Sequence, residues 1–374
     1  MRGGTSKGIM VQKAHLPVDR AKWDSLFLAA LGSPDPYGRQ LDGMGGGLSS
    51  LSKVCVIGPS TRSDADVDYT FGQVLIREAL IDWTPLCGNM SAAVGPYAVD
   101  EGLVRVRGDT ATVRIHNTNT GKIIAARFPL EDGCAAVDGD LTIPGIAGGG
   151  APVRLDFLEP GGATTGKLLP TGNVVDRLEV PGHGLFEVSM VDASNACVFV
   201  RARDLGLSGT EMPEQIEANA TLMQRLSAIR LAASLRMGIA ANEREAAKKT
   251  AVPFVGFVAP PARAKTLSSE TIEAAEVDLV ARALSSGQPH RALPLSVSMC
   301  LGVASKIAGT VVHEAATAIR GRDELLVSMP SGVLQLSAEV NRLDGAWHAV
   351  RGGFYRTQRR LFEGNLLVRA AALR

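Results

Sequence analysis

The sequence predicts an α/β protein made of two pseudo-repeated halves, each a curved sheet wrapped round a central buried helix. Three observations carry this. Period-two apolar alternation marks strands in both halves, most clearly in Asp66-Val67-Asp68-Tyr69-Thr70-Phe71. Two segments, 89–99 and 296–307, consist largely of Ala, Ser, Gly, Val and Met with almost no charge, as in helices buried on all sides. One lies in each half, and each follows a helix-starting element: Cys87-Gly88-Asn89 in the first, Pro294-Leu295-Ser296 in the second. At 374 residues the chain is more than twice the usual domain length. The halves are taken as 1–182 and 183–374, with a terminal segment able to return to the first.

Along the chain, 20–31 has helical spacing, and strands follow at 52–58 and 67–74. After the first central helix come strands at 112–116 and 122–128, then a turn-rich loop over 133–152 and another over 159–165. Strands at 185–191 and 196–200 open the second half. A long amphipathic helix is expected over 212–237, with Ile216, Ala220, Met223, Leu226, Ile229 and Ala233 on one face. A further helix is expected over 269–284.

Composition excludes several function classes. Lys plus Arg is 39 and Asp plus Glu 38, a net charge of +1 with no long basic run, so no nucleic-acid or anionic-membrane partner is expected. The longest uncharged run, 83–99, is 17 residues and is broken by Pro85 and Pro96, too short to span a bilayer comfortably. The first residues do not form a signal peptide. Five cysteines at scattered spacings, with no Cys-x-x-Cys, read as free thiols of a reducing cytoplasm. The six histidines form no ligand cluster, so no metal is expected. The dinucleotide fingerprint and the nucleophile elbow of serine hydrolases are both missing from the sequence. With 41 glycines and only 5% aromatics, tight turns around a small ligand are the expectation.

Cys87 is the most informative residue. At a helix start it sits beside unpaired backbone N–H groups and the positive end of the helix dipole, which lower a thiol's pKa and attract anions. The competing reading is a small buried hydrophobe. Lys53 enters the apolar strand Val54-Cys55-Val56-Ile57 from a Gly- and Ser-rich approach. Burial turns such an ammonium into a proton carrier; the competing reading is a lysine snorkelling from a strand end. Arg2-Gly3-Gly4-Thr5-Ser6-Lys7-Gly8 could clasp a carboxylate or phosphate, but it is not a phosphate-binding P-loop. Leu169-Pro170-Thr171-Gly172-Asn173 reads as a turn.

Ordered motifs along most of the chain resemble the 2-methylaconitate cis-trans isomerase (PrpF) family. They include Met1-Arg2-Gly3-Gly4-Thr5-Ser6-Lys7-Gly8, Asp42-Gly43-Met44-Gly45-Gly46, Ser52-Lys53, Cys87-Gly88-Asn89, Pro170-Thr171-Gly172-Asn173, Arg236-Met237-Gly238 and Pro330-Ser331-Gly332. The family includes methylitaconate Δ-isomerase and 4-oxalomesaconate tautomerase. The resemblance implies the diaminopimelate-epimerase-like fold, with the active site in a cleft between the halves. It also implies that Lys53 and Cys87 are the catalytic pair. The implied substrate-binding set is Arg2, Thr5, Ser6, Gly45, Gly46, Ser52, Gly88, Asn89 and Ser296. Members carry a strand before the Met-Arg-Gly-Gly motif, where this sequence begins. Leu295-Ser296 and Met329 stand where many members carry Gly-Thr and His.

The implied activity is cofactor-independent proton and double-bond movement in an unsaturated di- or tricarboxylate such as 2-methylaconitate. The alternatives are 4-oxalomesaconate or methylitaconate as substrate, and a non-catalytic tricarboxylate-binding accessory role. A two-cysteine epimerase is disfavoured, because Ser296 opens the second central helix and Cys300 lies about one turn on. Either Lys53 or Cys87 could be the base. A homodimer is compatible with this reading.

Overall fold

The structure, a computed structural model, describes residues 1–316 and 324–369. Close contacts divide the chain into two compact units, Met1–Phe157 with Tyr355–Arg374, and Leu158–Phe354. Residue 182 falls in the hairpin turn between two strands of the second unit.

In the first unit the order is β1 (Arg2–Gly3), β2 (Ser6–Gln12), α1 (Trp23–Leu31), β3 (Lys53–Pro59), β4 (Val67–Val74), α2 (Gly88–Asp100), β5 (Thr110–Asn117), β6 (Lys122–Glu131) and β7 (Val153–Leu158). β2 runs parallel to β3, β3 antiparallel to β4, β4 parallel to β5, and β5 antiparallel to β6. The parallel pairs are the ones joined through helices, as a crossover requires. α1 covers one face of the sheet, packing Trp23, Phe27 and Leu31 on Val54, Val56 and Val74. α2 fills the other, with residues from Met90 to Val99 all buried. Its small side chains let the sheet come close: a Cβ on Gly95 would stand 2.8 Å from Phe128 of β6.

The second unit holds β8 (Asp176–Val180), β9 (Gly184–Ala193), β10 (Asn195–Arg201), α3 (Ala220–Arg236), β11 (Phe254–Ala259), β12 (Leu279–Ser285), α4 (Leu295–Lys306), β13 (Glu324–Met329), β14 (Gly332–Leu343) and β15 (Ala346–Arg356), whose last two residues, Tyr355 and Arg356, belong to the first unit. β10 is parallel to β11, β11 antiparallel to β12, β12 parallel to β13, and β13 antiparallel to β14. The order β10-α3-β11-β12-α4-β13-β14 therefore repeats β2-α1-β3-β4-α2-β5-β6, sense by sense. The predicted α/β class and the central buried helix of each half are what each unit has. Leu222, Leu226, Ile229 and Ala233 of α3 form one core cluster with β8 to β12, and Val297 to Ser305 of α4 are buried on the other side.

Two predicted helices differ. The 212–237 helix is broken at Asn219, whose side chain accepts from Leu222 N–H at 3.0 Å and so starts a new helix. The 269–284 segment is a short strand, a 3₁₀ turn and β12. Its Ala, Glu and Leu content favours helix locally, but pairing on both edges, with β11 and β13, overrides that preference. The expected helix at 20–31 is a 3₁₀ turn followed by α1.

Candidate active site

Strand alternation sets this site. Val54, Val56 and Val74 pack on α1, so Lys53 and Cys55 of β3, and Tyr69, Phe71 and Gln73 of β4, point to the opposite face, toward α2. Lys53, 8% exposed, opens β3 directly opposite Gln73. Its Nζ donates to Gln73 Oε1 (2.5 Å) and stands 5.1 Å from the centre of the Phe71 ring. The Gln73 amide nitrogen lies 3.0 Å from Ser49 O, 3.0 Å from Ser52 O and 3.3 Å from Val74 O.

Cys87 is the N-cap of α2. Its backbone is extended, and its Sγ accepts from Met90 N–H at 3.4 Å, satisfying one donor that the helix cannot. Ser91 fixes the same turn, its N–H and hydroxyl donating to Cys87 O at 3.0 and 2.9 Å. Cys87, Gly88 and Asn89 are half-buried, so the cap is reachable. Behind them lie two fully buried acids, Cys55 and Tyr69, 3.9 Å apart. Burial, and after it the neighbouring Cys87, pushes the Cys55 thiol up to about 12, while Lys53 acts in the other direction. Cys55 thus lies within electrostatic reach of both predicted catalytic residues.

The other predicted residues form two groups. The β1–β2 hairpin tip rests on the start of α2: Asn89 Oδ1 accepts from Thr5 N–H (3.5 Å) and from Arg356 Nε (3.1 Å). A Cβ on Gly3 would lie 2.6 Å from Asn89 O, so only glycine allows that approach. Arg2 is held within the hairpin and by Thr357, its Nη1 donating to Gly4 O, Thr357 O and Thr357 Oγ1 at 3.0, 3.1 and 2.9 Å. Ser6 is buried in β2. Gly45, Gly46 and Ser52 belong to a loop organised by Gln40, whose Oε1 accepts from Gly47 N–H (2.9 Å) and meets Ser52 Oγ at 2.6 Å. A Cβ on Gly45 would strike Gln40, and one on Gly46 would strike Leu51. Ser296 belongs to the second unit, in the first turn of α4, where Asn195 Nδ2 lies 3.4 Å from its hydroxyl.

The PrpF protein family model matches residues 1–369. The chain belongs to the PrpF family. It is 42% identical over 375 residues to 3-methylitaconate isomerase of Eubacterium barkeri, spanning 100% of this chain and 97% of that protein. With 2-methyl-aconitate isomerase of Shewanella oneidensis (strain MR-1) it shares 39% identity over 375 residues, 97% of this chain and 94% of the relative. The crystal structure of methylitaconate-delta-isomerase superposes with a TM-score of 0.93 at 42% identity, covering 100% of this chain and 95% of that one.

In this PrpF chain, sequence reading missed the residues that hold the site rather than those proposed to react. Gln73, Gln40 and Arg356 carry no motif, and Tyr69 stood out only as part of an alternating strand. For Gln73 a signal was present: in the alternating run Val67–Val74 it is the polar residue on the face shared with Tyr69 and Phe71. Arg356 was hidden by sequence distance, 267 residues from its partner Asn89. Among the described residues, no group of three or more His, Cys, Asp or Glu could hold a metal ion, and no helix is long and apolar enough to cross a membrane.

Proposed function

We propose that this PrpF family member is an isomerase that moves a proton and a double bond in an unsaturated tricarboxylate of the 2-methylaconitate type, without a cofactor. One observation carries the reading: a buried lysine points to the face of one sheet that is covered by the helix whose N-cap is Cys87. The relative at 39% identity, named for 2-methylaconitate, supports the tricarboxylate, and the one at 42%, named for the dicarboxylate 3-methylitaconate, supports the wider class of unsaturated carboxylates.

Lys53 acts as the base and takes a proton from the allylic carbon. The C–H electron pair moves into the adjacent C=C–carboxylate system, giving a dienolate with two negative oxygens. Donors fixed in advance lower that barrier most, because they need not reorganise as charge grows. The free N–H groups and positive dipole end of α2, at Gly88 and Asn89, are such donors. The lysine then returns the proton to the far end of the allyl system, or to the same carbon after rotation. Cys87 orients the substrate and supports the developing charge.

The test is direct. The purified protein is incubated with 2-methylaconitate, methylitaconate and 4-oxalomesaconate in D₂O, and the products are followed by proton NMR. Isomerisation of at least one, undiminished after dialysis against EDTA, is the expected result. No turnover on any of the three, with the protein folded, contradicts the reading.

A further inference from the structure

Nothing in the motifs assigns a role to Gln73, yet its side-chain amide meets four partners, Lys53 Nζ and the carbonyls of Ser49, Ser52 and Val74. The two residues are direct partners in the antiparallel β3–β4 ladder and share one face. The Gln73 nitrogen faces three carbonyl oxygens, those of Ser49, Ser52 and Val74. Carbonyls only accept hydrogen bonds, so the NH₂ group must sit there, and the amide oxygen is forced to face Lys53. Turning the amide over would set its oxygen against three others.

We propose that Gln73 is the positioning residue of Lys53, an uncharged acceptor that aims the lysine nitrogen without pairing it with an opposite charge. The proposal rests on the reading of Lys53 as the proton carrier. A lysine side chain has four rotatable bonds, and an error of about 1 Å in a reacting group can cost about 10²-fold in rate. A carboxylate at position 73 would also fix the nitrogen, but it would favour the ammonium and hold the proton there. An amide oxygen accepts a hydrogen bond from either –NH₃⁺ or –NH₂, so it guides the nitrogen through both halves of a proton-transfer cycle. The clamp also ties the Ser49–Leu51 turn to the ladder, linking the lysine's aim to the glycine-rich loop before it.

A purely structural Gln73 would hold the loop and do nothing to the lysine, so the test must read the lysine. Lys53→Ala, Gln73→Met, Gln73→Glu and the Lys53→Ala/Gln73→Met double variant are prepared as full-length chains. kcat and KM on 2-methylaconitate, or on whichever substrate of the panel is turned over, are measured against pH. In parallel, Lys53 is titrated by NMR in lysine-labelled protein, its signal assigned by its loss in Lys53→Ala.

Gln73→Met should lower kcat about 10- to 100-fold with little change in KM. Gln73→Glu should move both the acidic limb of the activity profile and the Lys53 titration upward by about one pH unit or more. The double variant should be no slower than Lys53→Ala alone, since Gln73 acts only through the lysine. An unchanged Lys53 titration in Gln73→Glu, or a Gln73→Met loss that recurs in full on the Lys53→Ala background, overturns the positioning role while leaving Lys53 in place. Near-normal turnover by Lys53→Ala removes the lysine from the reaction and the proposal with it. Should Gln73→Met fail to fold, the Gln73→Glu titration decides alone.

Discussion

Asn89 Oδ1 accepts a 3.1 Å hydrogen bond from Arg356 Nε, fastening the first turn of α2 to the last residue of β15. Arg356 is 9% exposed, and burial lowers its guanidinium to about 10. Losing an acceptor beside a buried cation costs about 1–3 kcal/mol, more than an ordinary hydrogen bond contributes. Asn89→Ala should therefore lower the urea midpoint by that equivalent, and Asn89→Asp, which restores an acceptor, should recover most of it. An Asn89→Ala variant as stable as the parent would show that Arg356 does not depend on this contact.

Gly45 is held to glycine by packing. A Cβ there would stand 2.3 Å from Gln40 Oε1, the atom that meets Ser52 and Gly47. Gln40 is 1% exposed and cannot swing into solvent. Overpacking of this kind costs about 1–3 kcal/mol. Gly45→Ala should lower the melting temperature and also slow turnover, because Ser52 immediately precedes Lys53. A variant with reduced stability but unaltered kcat would separate the loop from the site.

Much of this was legible in the sequence, and what was not has physical causes. Strong alternation located β3 and β4, and the uncharged small-residue runs located α2 and α4, because both patterns are local. β12 was misread as helix because its residues prefer helix alone and only pairing with β11 and β13, distant in sequence, makes them a strand. In the site, Lys53 and Cys87 stood out by their immediate neighbours. Gln73 and Arg356 matter through contacts made 20 and 267 residues away, which no local pattern reveals. Ser52 and Gly45 were expected to hold substrate. The contacts found for them are internal, to Gln40, so their surroundings are explained by loop packing before any ligand is considered.

Alkaline pH should destabilise the fold through its buried acids. Cys55 is pushed up from 9.0 to about 12, and Tyr69 and Cys197 are also raised well above their ordinary values, in each case chiefly by burial. The folded chain keeps these groups neutral while the unfolded chain releases their protons. Their contribution is thus fully present below about pH 9 and is lost as pH rises toward the folded values, about 1.4 kcal/mol per pH unit for each group. Urea unfolding measured between about pH 8 and 11 should show falling stability, and Cys55→Ala should show a shallower fall. Equal slopes for the two proteins would contradict the burial argument for Cys55.

A double-mutant cycle on kcat shows whether Lys53 and Cys87 act as one unit in proton transfer, as proposed. Lys53→Ala should lower turnover about 10²–10⁴-fold while substrate still binds, the usual cost of losing a general base. Cys87→Ser keeps the cap's shape and a weak donor, and should lower kcat more than it raises KM, since charge support is needed mainly in the transition state. If the two residues serve the same step, the combined variant should lose far less than the product of the single losses. Losses that simply multiply would make the residues independent, and near-normal turnover in either single variant would take that residue out of the reaction.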